Sequence, residues 1–304
     1  MKKTMESTEP NATAAEAKAG PEAGDASWDL VIAPPKGLMR LNLRDLWRYR
    51  DLVMLFVRRD FVAVYKQTVL GPLWHIIQPL LTTLMFTLVF GQIAGLPTDG
   101  VPQFLFYMAG TTVWTYFSNC LTATSSTFIA NAGIFGKVYF PRLAVPVSTV
   151  VSRLIAFGIQ FAFFLVFYAV FYFREGSSFA PTPYVALLPV LLLCMAGLGL
   201  GFGIIISSMT TKYRDLQVLV GFGVQLWMYA TPVIYPLSQM PQKYRWLLIA
   251  NPMTSVVETF RYGFFGCGTF SWAYLGYTVA FTVVLLVVGT AIFNRVERTF
   301  MDTV

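Results

Sequence analysis

The sequence has little charge and few of the side chains that usually carry metal or covalent chemistry. Of its 304 residues, 12% are Asp, Glu, Lys or Arg, and a soluble domain carries about 25%. There are one histidine and three cysteines, of which Cys120 and Cys194 lie in apolar runs. This pattern matches neither a metal-ligand spacing nor a disulfide framework. We therefore expect no metal site, and we interpret the cysteines as small packing residues.

Carboxylates are missing from six long apolar runs. Each run has the roughly 20 residues that a helix needs to cross a bilayer, and together they predict an all-α integral membrane protein. The only ionisable side chains there are His75, near the start of the first run, and Arg153, about two turns into the third. A proton-coupled carrier or an intramembrane enzyme needs an acid or base at midplane, so both are disfavoured. The runs are 73–93, 104–130, 147–173, 184–210, 216–235 and 272–293.

Nucleotide-binding motifs are also missing. GIFGK at 133–137 has Asn131 where a phosphate loop needs its first glycine, and Val138 where it needs Ser or Thr. Glycines 197, 199, 201 and 203 follow no predicted strand, so a dinucleotide site is excluded. Their small-xxx-small spacing instead predicts close packing between helices.

The charge that is present lies beside the apolar runs. The first 35 residues are polar and lack an apolar signal-peptide core, so we expect a disordered cytoplasmic tail. Counting Lys and Arg in the loops gives fourteen on the side of the N-terminus and four on the other. By the positive-inside rule both termini are cytoplasmic, and the net charge of +7 is an orientation signal that does not indicate nucleic-acid binding.

Residues 36–70 include a basic amphipathic helix. At 100° per residue one stripe is charged, and Asp60 alone breaks the apolar side. A cationic helix with aromatic side chains is typical of a segment in the membrane interface, although a soluble surface helix has a similar pattern. The charged stripe comprises Arg44, Arg48, Asp51, Arg58, Arg59 and Lys66, and the apolar side comprises Leu46, Tyr49, Val53, Phe56, Val57 and Val64.

The segment 236–271 is neither a plain loop nor a complete span. Prolines divide it into two short helices, and Asn251-Pro252 is the expected cap and first turn of the second. Glu258 and Arg261 are three residues apart and can pair on one helix face. We expect two short re-entrant helices in the outer leaflet; an external loop with two surface helices is the alternative.

The third run and the elbow before it (131–146, NAGIFGKVYFPRLAVP) are rich in aromatic residues. The elbow has two prolines and two basic residues, which favours a short helix along the membrane that a cytoplasmic partner moves; an ordinary turn is the alternative. The third run has one aromatic face, which usually packs against helices or lipid. The alternative is the wall of a glycan pathway, in which rings stack on sugars. This face consists of Phe157, Phe161, Phe164, Tyr168 and Phe171.

Several segments together resemble the transmembrane subunit of ABC-2 type polysaccharide exporters, and among them the O-antigen export permeases. The resemblance covers Val31 to Arg298. It implies a homodimer of six-span subunits without a cofactor of their own, bound to two copies of a separate ATPase subunit that binds ATP and magnesium. The segments are RRDFVAVYKQTVLGPLWHIIQPL at 58–80, the elbow at 131–146, TKYRDLQ at 211–217, TPVIYP at 231–236 and NPM at 251–253.

The resemblance also implies roles for individual residues. The elbow and the interfacial helix are expected to contact the ATPase, and the two short helices to shape the outer exit. Charge placement alone suggests Arg44, Arg48 and Lys66 for the pyrophosphate of a lipid-linked glycan. Exporters of capsule, teichoic acid, lipid or drug remain alternatives, as do a membrane-embedded transferase and a secondary transporter. The expected ATPase contacts are Lys137, Val138, Tyr139, Phe140 and Arg142, with Arg58, Arg59 and Asp60 supporting them.

Overall fold

The regular elements are helices throughout the described part of the chain. The computed structural model describes residues 43–66, 71–135, 140–175, 179–213 and 215–300, all within the unit Leu38–Val304. The predicted tail 1–35 lies outside these residues. The α-helices are α1 Leu43–Arg48, α2 Arg50–Tyr65, α3 Trp74–Phe86, α4 Gln103–Ser125, α5 Thr127–Phe135, α6 Ala144–Glu175, α7 Leu188–Thr210, α8 Leu216–Tyr229, α9 Gln242–Ala250, α10 Pro252–Phe265 and α11 Trp272–Phe300.

Four helical segments of the described chain are long and apolar enough to cross a membrane. They correspond to the first, third, fourth and sixth predicted runs. The first segment combines α3 with a π-helical continuation, Thr87–Ile93. The segment that contains α7 begins with a short 3-10 turn, Pro183–Leu187. These segments make the chain an integral membrane protein. They are Trp74–Ile93, Ala144–Arg174, Pro183–Thr210 and Trp272–Val296.

Most of the second predicted run, 104–130, forms the most central helix, α4, while the residues from Thr127 onward belong to α5. α4 packs against α3, α6, α7, α8 and α10, and most of its side chains are buried. A helix surrounded by protein does not need an apolar surface, because its hydroxyl groups bond to backbone carbonyls instead of facing lipid. Thr112 and Ser125 donate in this way to Met108 and Thr122. This explains why α4 is long enough to span a bilayer but less apolar than the four segments above.

The predicted packing of the α7 glycines is confirmed. A Cβ atom placed on Gly199 or Gly203 would lie 2.6 Å from Cys120 Cβ and 2.5 Å from Thr124 Cβ, both on α4. On the opposite side of α7, Gly197 and Gly201 face α11 in the same way. Small residues on two faces therefore let α7 lie close to both neighbours.

The fifth predicted run, 216–235, is helical only to Tyr229. Turns follow through residue 235, and α8 has 14 residues, or about 21 Å of helix. Thr231 and Val233 in these turns are buried against the rest of the chain. The break follows from sequence, since Pro232 cannot donate a helical hydrogen bond.

The segment 236–271 forms two short helices, α9 and α10, that differ in burial. Asn251 caps α10 as expected, accepting a hydrogen bond from the Met253 backbone N–H at 3.0 Å, with Pro252 in the first turn. α10 ends at Gly266 in a left-handed conformation. Nearly every residue of α10 is buried against α4, α7 and α11, so it is not a surface helix. α9 is largely exposed.

Candidate functional site

One end of the helix assembly is held together by a cluster of five phenylalanines from α2, α5, the elbow and α11. Phe56 of α2 lies 5.7 Å from Phe140 of the elbow, measured between ring centroids. From Phe140 the contacts continue through Phe135 and Phe128 of α5 to Phe293 of α11, where the last pair stacks at 4.5 Å. All five side chains are buried. We call Phe56, Phe128, Phe135, Phe140 and Phe293 the aromatic junction, which connects α2 and the elbow to α11.

The described elbow residues that were expected at the ATPase contact are buried. Phe140 belongs to the aromatic junction, and Arg142 is only 5% exposed, with its guanidinium 5.5 Å from the Phe135 ring centroid. In the single chain these two side chains are covered by protein, and their expected part in the ATPase contact stays a prediction. Lys137, Val138 and Tyr139 lie outside the described residues, and their expected contact stays a prediction.

The end of α2 presents a charged surface beside the aromatic junction. Arg58 and Arg59 are exposed. Arg59 donates to Asp60 at 2.8 Å, and its guanidinium lies 4.8 Å from the Phe56 ring centroid. Asp60, which broke the apolar pattern, is therefore neutralised by its neighbour. Their role at a partner surface stays a prediction.

The apolar side predicted for α2 faces protein. Phe56 and Val57 are buried, and α2 packs against α6. On the opposite side Trp47, Met54 and Leu55 are exposed among the basic residues. The helix thus has an apolar face toward the protein and a second, mixed face that is open. The interfacial interpretation was incomplete because periodicity alone does not separate these two apolar sets.

The suggested attraction of a pyrophosphate by Arg44, Arg48 and Lys66 stays a prediction. Arg48 ends α1, and Lys66 follows α2, whose 16 residues extend about 24 Å. A single pyrophosphate group is far too small to contact both side chains. Arg44, like Arg48, lies in α1, before the start of α2.

The aromatic face of α6 packs inside the protein. Phe164 is fully buried, and its ring lies 5.2 Å from that of Phe264 in α10. Tyr168 donates to the Phe264 carbonyl at 2.8 Å, and Phe171 stacks at 6.1 Å on Phe104 of α4. Phe157 and Phe161 continue the row toward the other end of α6, stacked on each other at 5.6 Å. The structural interpretation therefore fits this face; its role as a pathway wall stays a prediction.

Glu258 and Arg261 form the expected pair, and both are buried. The charged atoms lie 3.7 Å apart. Arg261 donates to the carbonyls of Pro232 and Val233, and its guanidinium covers the Phe106 ring at 3.6 Å. Arg261 thus ties α10 to the turns after α8 and to α4.

The other oxygen of the Glu258 carboxylate binds the loop before α11. It accepts hydrogen bonds from the backbone N–H and the hydroxyl of Thr269, at 3.0 and 3.2 Å. Gly268 takes a positive φ of 104° and lies close to the carboxylate, which leaves little room for a side chain. Nearby, Asp99 accepts a hydrogen bond from Ser238 at 2.7 Å.

Sequence reasoning missed the amides inside the predicted spans. Asn119 of α4 and Gln160 of α6 line a cavity together with Arg153, the one strongly basic side chain noted in a span. A search restricted to ionisable groups passes over them. An uncharged polar side chain in an apolar run was the signal available, because such groups need a partner at membrane depth.

The sequence matches the family model described as ABC-2 type transporter over residues 51–265. This range contains α2 through α10 and thus the greater part of the aromatic junction and the buried ion pair.

The chain aligns with similar curated proteins over nearly the whole length of those proteins. The chain is 29% identical over 264 residues to an O-antigen export system permease protein RfbA of Klebsiella pneumoniae, covering 87% of this chain and 98% of that protein. It is 30% identical over 267 residues to the protein of the same name from Myxococcus xanthus, covering 86% and 98%. The polysialic acid transport protein KpsM of Escherichia coli is 23% identical, covering 77% of this chain and 89% of that protein.

Proposed function

Because the chain belongs to the ABC-2 type transporter family, we propose that it is the membrane subunit of an exporter of lipid-linked polysaccharide, with O-antigen as cargo. The observation that carries this proposal is the similarity to O-antigen export permeases over 98% of their length. The subunit itself is not an enzyme in this proposal. It resides in the inner membrane and depends on a separate ATPase subunit that binds ATP and magnesium.

The proposed membrane topology has six spans with both termini in the cytoplasm. The four apolar segments, α4 and α8 form the spans, while α9 and α10 enter and leave on the outer side. α8, at about 21 Å, is shorter than the roughly 30 Å hydrocarbon core. The turns at 230–235 complete its path, and irregular backbone is tolerated there because it is buried by protein.

The proposed mechanism transmits ATPase movement through the aromatic junction. Two chains form a homodimer, and each binds one ATPase subunit through the elbow and the exposed end of α2. ATP binding favours one arrangement of the two ATPase subunits, and this differential affinity supplies the bias. Because the elbow contacts α2 through Phe140, and reaches α11 through Phe128 of α5, its displacement moves whole helices. The two permease halves then part and admit the glycan.

Deletion of the chain tests the cargo. We expect surface O-antigen to disappear and polyprenyl-linked glycan to accumulate in the cytoplasmic leaflet, measured by gel analysis of surface polysaccharide and mass spectrometry of extracted lipids. The chain expressed in trans is the control. Unchanged surface O-antigen without accumulation of a lipid-linked intermediate contradicts the proposal.

Capsular polysaccharide is the second candidate cargo. The similarity to KpsM and to the capsule polysaccharide export inner-membrane protein CtrC, 23% identical over 265 residues, favours it. Its lower identity places it after O-antigen. Loss of capsule with retention of O-antigen in the deletion strain would reverse this order.

The ATPase contact is tested at Lys137. We expect Lys137→Glu to abolish co-purification with the ATPase subunit, because it reverses the charge at the expected contact. Lys243→Glu, at the predicted outer end, is the matched control and keeps co-purification. Retained association and export in the Lys137 variant would remove the elbow from the contact.

A further inference from the structure

A polar cavity lies between α3, α4 and α6. Its volume is about 100 Å³, well above the roughly 10–15 Å³ that a single water requires. Side chains from all three helices line the cavity, so it lies within the helix assembly. The polar groups that matter are Gln78, Asn119, Arg153 and Gln160, and the rings beside them belong to Trp74 and Phe157.

Two donors beside this cavity have no hydrogen-bond partner in the described part of the chain. The Nε2 atom of Gln160 and the Nε atom of Arg153 are inaccessible and form no hydrogen bond among the described residues. Gln160 is only 4% exposed. Leaving a buried donor unpaired costs free energy, and the cost is larger for a charged group. An anion in the cavity removes this cost if the Gln160 and Arg153 side chains turn these atoms toward it.

The charges of the lining select an anion. None of the described residues that line the cavity is Asp or Glu, and none of the described carboxylates is ion-paired with Arg153. Arg153 therefore contributes a positive charge that the lining itself does not balance. Guanidinium and amide groups present N–H donors to phosphate oxygens, and arginine suits phosphate because its planar fork matches the geometry.

The cavity opens toward the end of the molecule that carries the aromatic junction. Trp74 is the first residue of α3, and Arg153 lies nine residues after the start of α6, or about 14 Å along the helix. Trp74, Gln78 and Asn119 are exposed at its mouth. In the proposed topology Arg153 lies in the cytoplasmic half of the bilayer, and Gln160 lies about 10 Å deeper along α6. A phosphate attached to a lipid reaches Arg153 without crossing the hydrocarbon core.

We propose that this cavity binds a phosphate or pyrophosphate group carried by a lipid, with Arg153 and Gln160 as its principal donors. This rests on the proposed function, in which the cargo arrives on a polyprenyl pyrophosphate. Asn119 and Gln78 contact the anion at the mouth, and the Trp74 ring borders the lipid chain. The ligand class is the phosphate-type anion, and its source is either the polyprenyl carrier or a membrane phospholipid.

Binding to the purified full-length chain in maltoside micelles tests the site. The probes are undecaprenyl pyrophosphate, undecaprenol as the same chain without phosphate, and phosphatidylglycerol as an ordinary anionic lipid, titrated by native mass spectrometry. We expect undecaprenyl pyrophosphate to bind at least tenfold more tightly than undecaprenol. Tighter binding than phosphatidylglycerol identifies the carrier as the source, and equal binding identifies phospholipid.

Variants assign the binding to the cavity. Arg153→Gln should weaken pyrophosphate binding about tenfold or more, because a charge-assisted contact is lost. Arg174→Gln, an exposed position near the other end of the same helix, should change it less than twofold. Asn119→Asp places a carboxylate at the exposed mouth, where folding is not at risk, and should also weaken binding. Arg153→Lys keeps the charge and should retain part of the affinity.

Three results would overturn the inference. These are equal affinity for undecaprenyl pyrophosphate and undecaprenol, unchanged affinity in a folded Arg153→Gln, or unchanged affinity in Asn119→Asp. Export measured in the same strains separates this failure from failure of the proposed function. If Arg153→Gln binds and exports as the unaltered chain does, the site is wrong while the exporter assignment stands. If deleting the whole chain leaves export intact, the function is wrong.

Discussion

At the scale of single residues, the absence of a side chain sets the distance between helices. Gly203 of α7 faces Thr124 and the Leu121 carbonyl, which belongs to the backbone of α4 and cannot rotate away. Gly221 and Gly223 of α8 have no atom within 4 Å of a Cβ position. Gly203 of α7 thus permits close contact with a neighbouring helix, whereas Gly221 and Gly223 of α8 do not face one.

We predict that Gly203→Ala destabilises the protein and Gly221→Ala does not. The added methyl group at position 203 overlaps α4, and overpacking of this kind costs about 1–3 kcal/mol. At position 221 alanine lowers the conformational entropy of the unfolded chain without a clash in the helix, which stabilises the protein by up to about 1 kcal/mol. Thermal unfolding of the purified chain in detergent measures both. Equal or higher stability of Gly203→Ala would show that the two helices are not in close contact.

Arg261 is a second residue on which several elements depend. It donates to two backbone carbonyls from the turns after α8 and balances the charge of Glu258. Gly110 of α4 lies against the same guanidinium, since a Cβ there would come 2.8 Å from its Nη2 atom. The pair is entirely enclosed, so water cannot replace a lost partner.

We predict that Arg261→Gln lowers the free energy of unfolding by about 3–5 kcal/mol, because it leaves a buried carboxylate without its counter-charge. Glu258→Gln should cost less, since glutamine still accepts from Thr269. Lys243→Gln on exposed α9 is the control and should have no effect. Denaturant unfolding followed by fluorescence measures these differences, and an Arg261→Gln as stable as the control would contradict the role assigned to the pair.

At the scale of elements, α2 packs against α6 and also contacts the elbow through the ring of Phe56. Phe56 touches Phe140, and Leu55 beside it is exposed. The mixed open face of α2 lies away from this contact. Anchoring through one buried face lets the other remain available for lipid or a partner.

We predict that Phe56→Ala and Phe140→Ala each destabilise the protein by about 3–5 kcal/mol, as for other buried phenylalanines. The double variant should cost less than the sum by about 0.5–1.5 kcal/mol, the usual coupling of an aromatic pair. Leu55→Ala should cost under 1 kcal/mol. A double-mutant cycle by thermal unfolding measures the coupling. Strict additivity would mean that the two rings do not act together.

At the scale of the whole molecule, charge distribution predicts which end faces the cytoplasm. Lys243 on α9 and Tyr213 after α7 are exposed at opposite ends of the assembly. Cys120 and Cys194 are buried, and burial with Asp99 nearby raises the pKa of the Cys267 thiol at the predicted outer end. Labelling of the native cysteines by a thiol reagent is therefore expected to be low, and Cys267→Ser removes the most accessible of them.

We predict that, in a Cys267→Ser background, Lys243→Cys reacts with a membrane-impermeant maleimide in spheroplasts and Tyr213→Cys does not. Permeabilisation should expose Tyr213→Cys. Labelling is measured by a mass-tag shift on a gel. The reversed pattern would invert the topology and place the aromatic junction outside the cell, away from any ATPase.

Much of the element pattern was predictable from sequence because it depends on local composition. The length of the apolar runs predicted all four segments of the described chain that can cross a membrane. The small-xxx-small spacing predicted the α7 packing. The Asn251-Pro252 cap and the Glu258–Arg261 pair followed from spacing of one to three residues. The early end of α8 was missed, although Pro232 was the available signal.

The sequence by itself determined that this chain is a helical membrane protein of the ABC-2 type, because hydropathy and local motifs are properties of consecutive residues. Only the tertiary structure decided which apolar face of α2 is covered, that Arg142 is internal, and that Arg153 meets Gln160 and Asn119 around one cavity. These facts depend on which helices become neighbours. Contacts between residues far apart in the chain leave no signal in periodicity, which describes each helix alone.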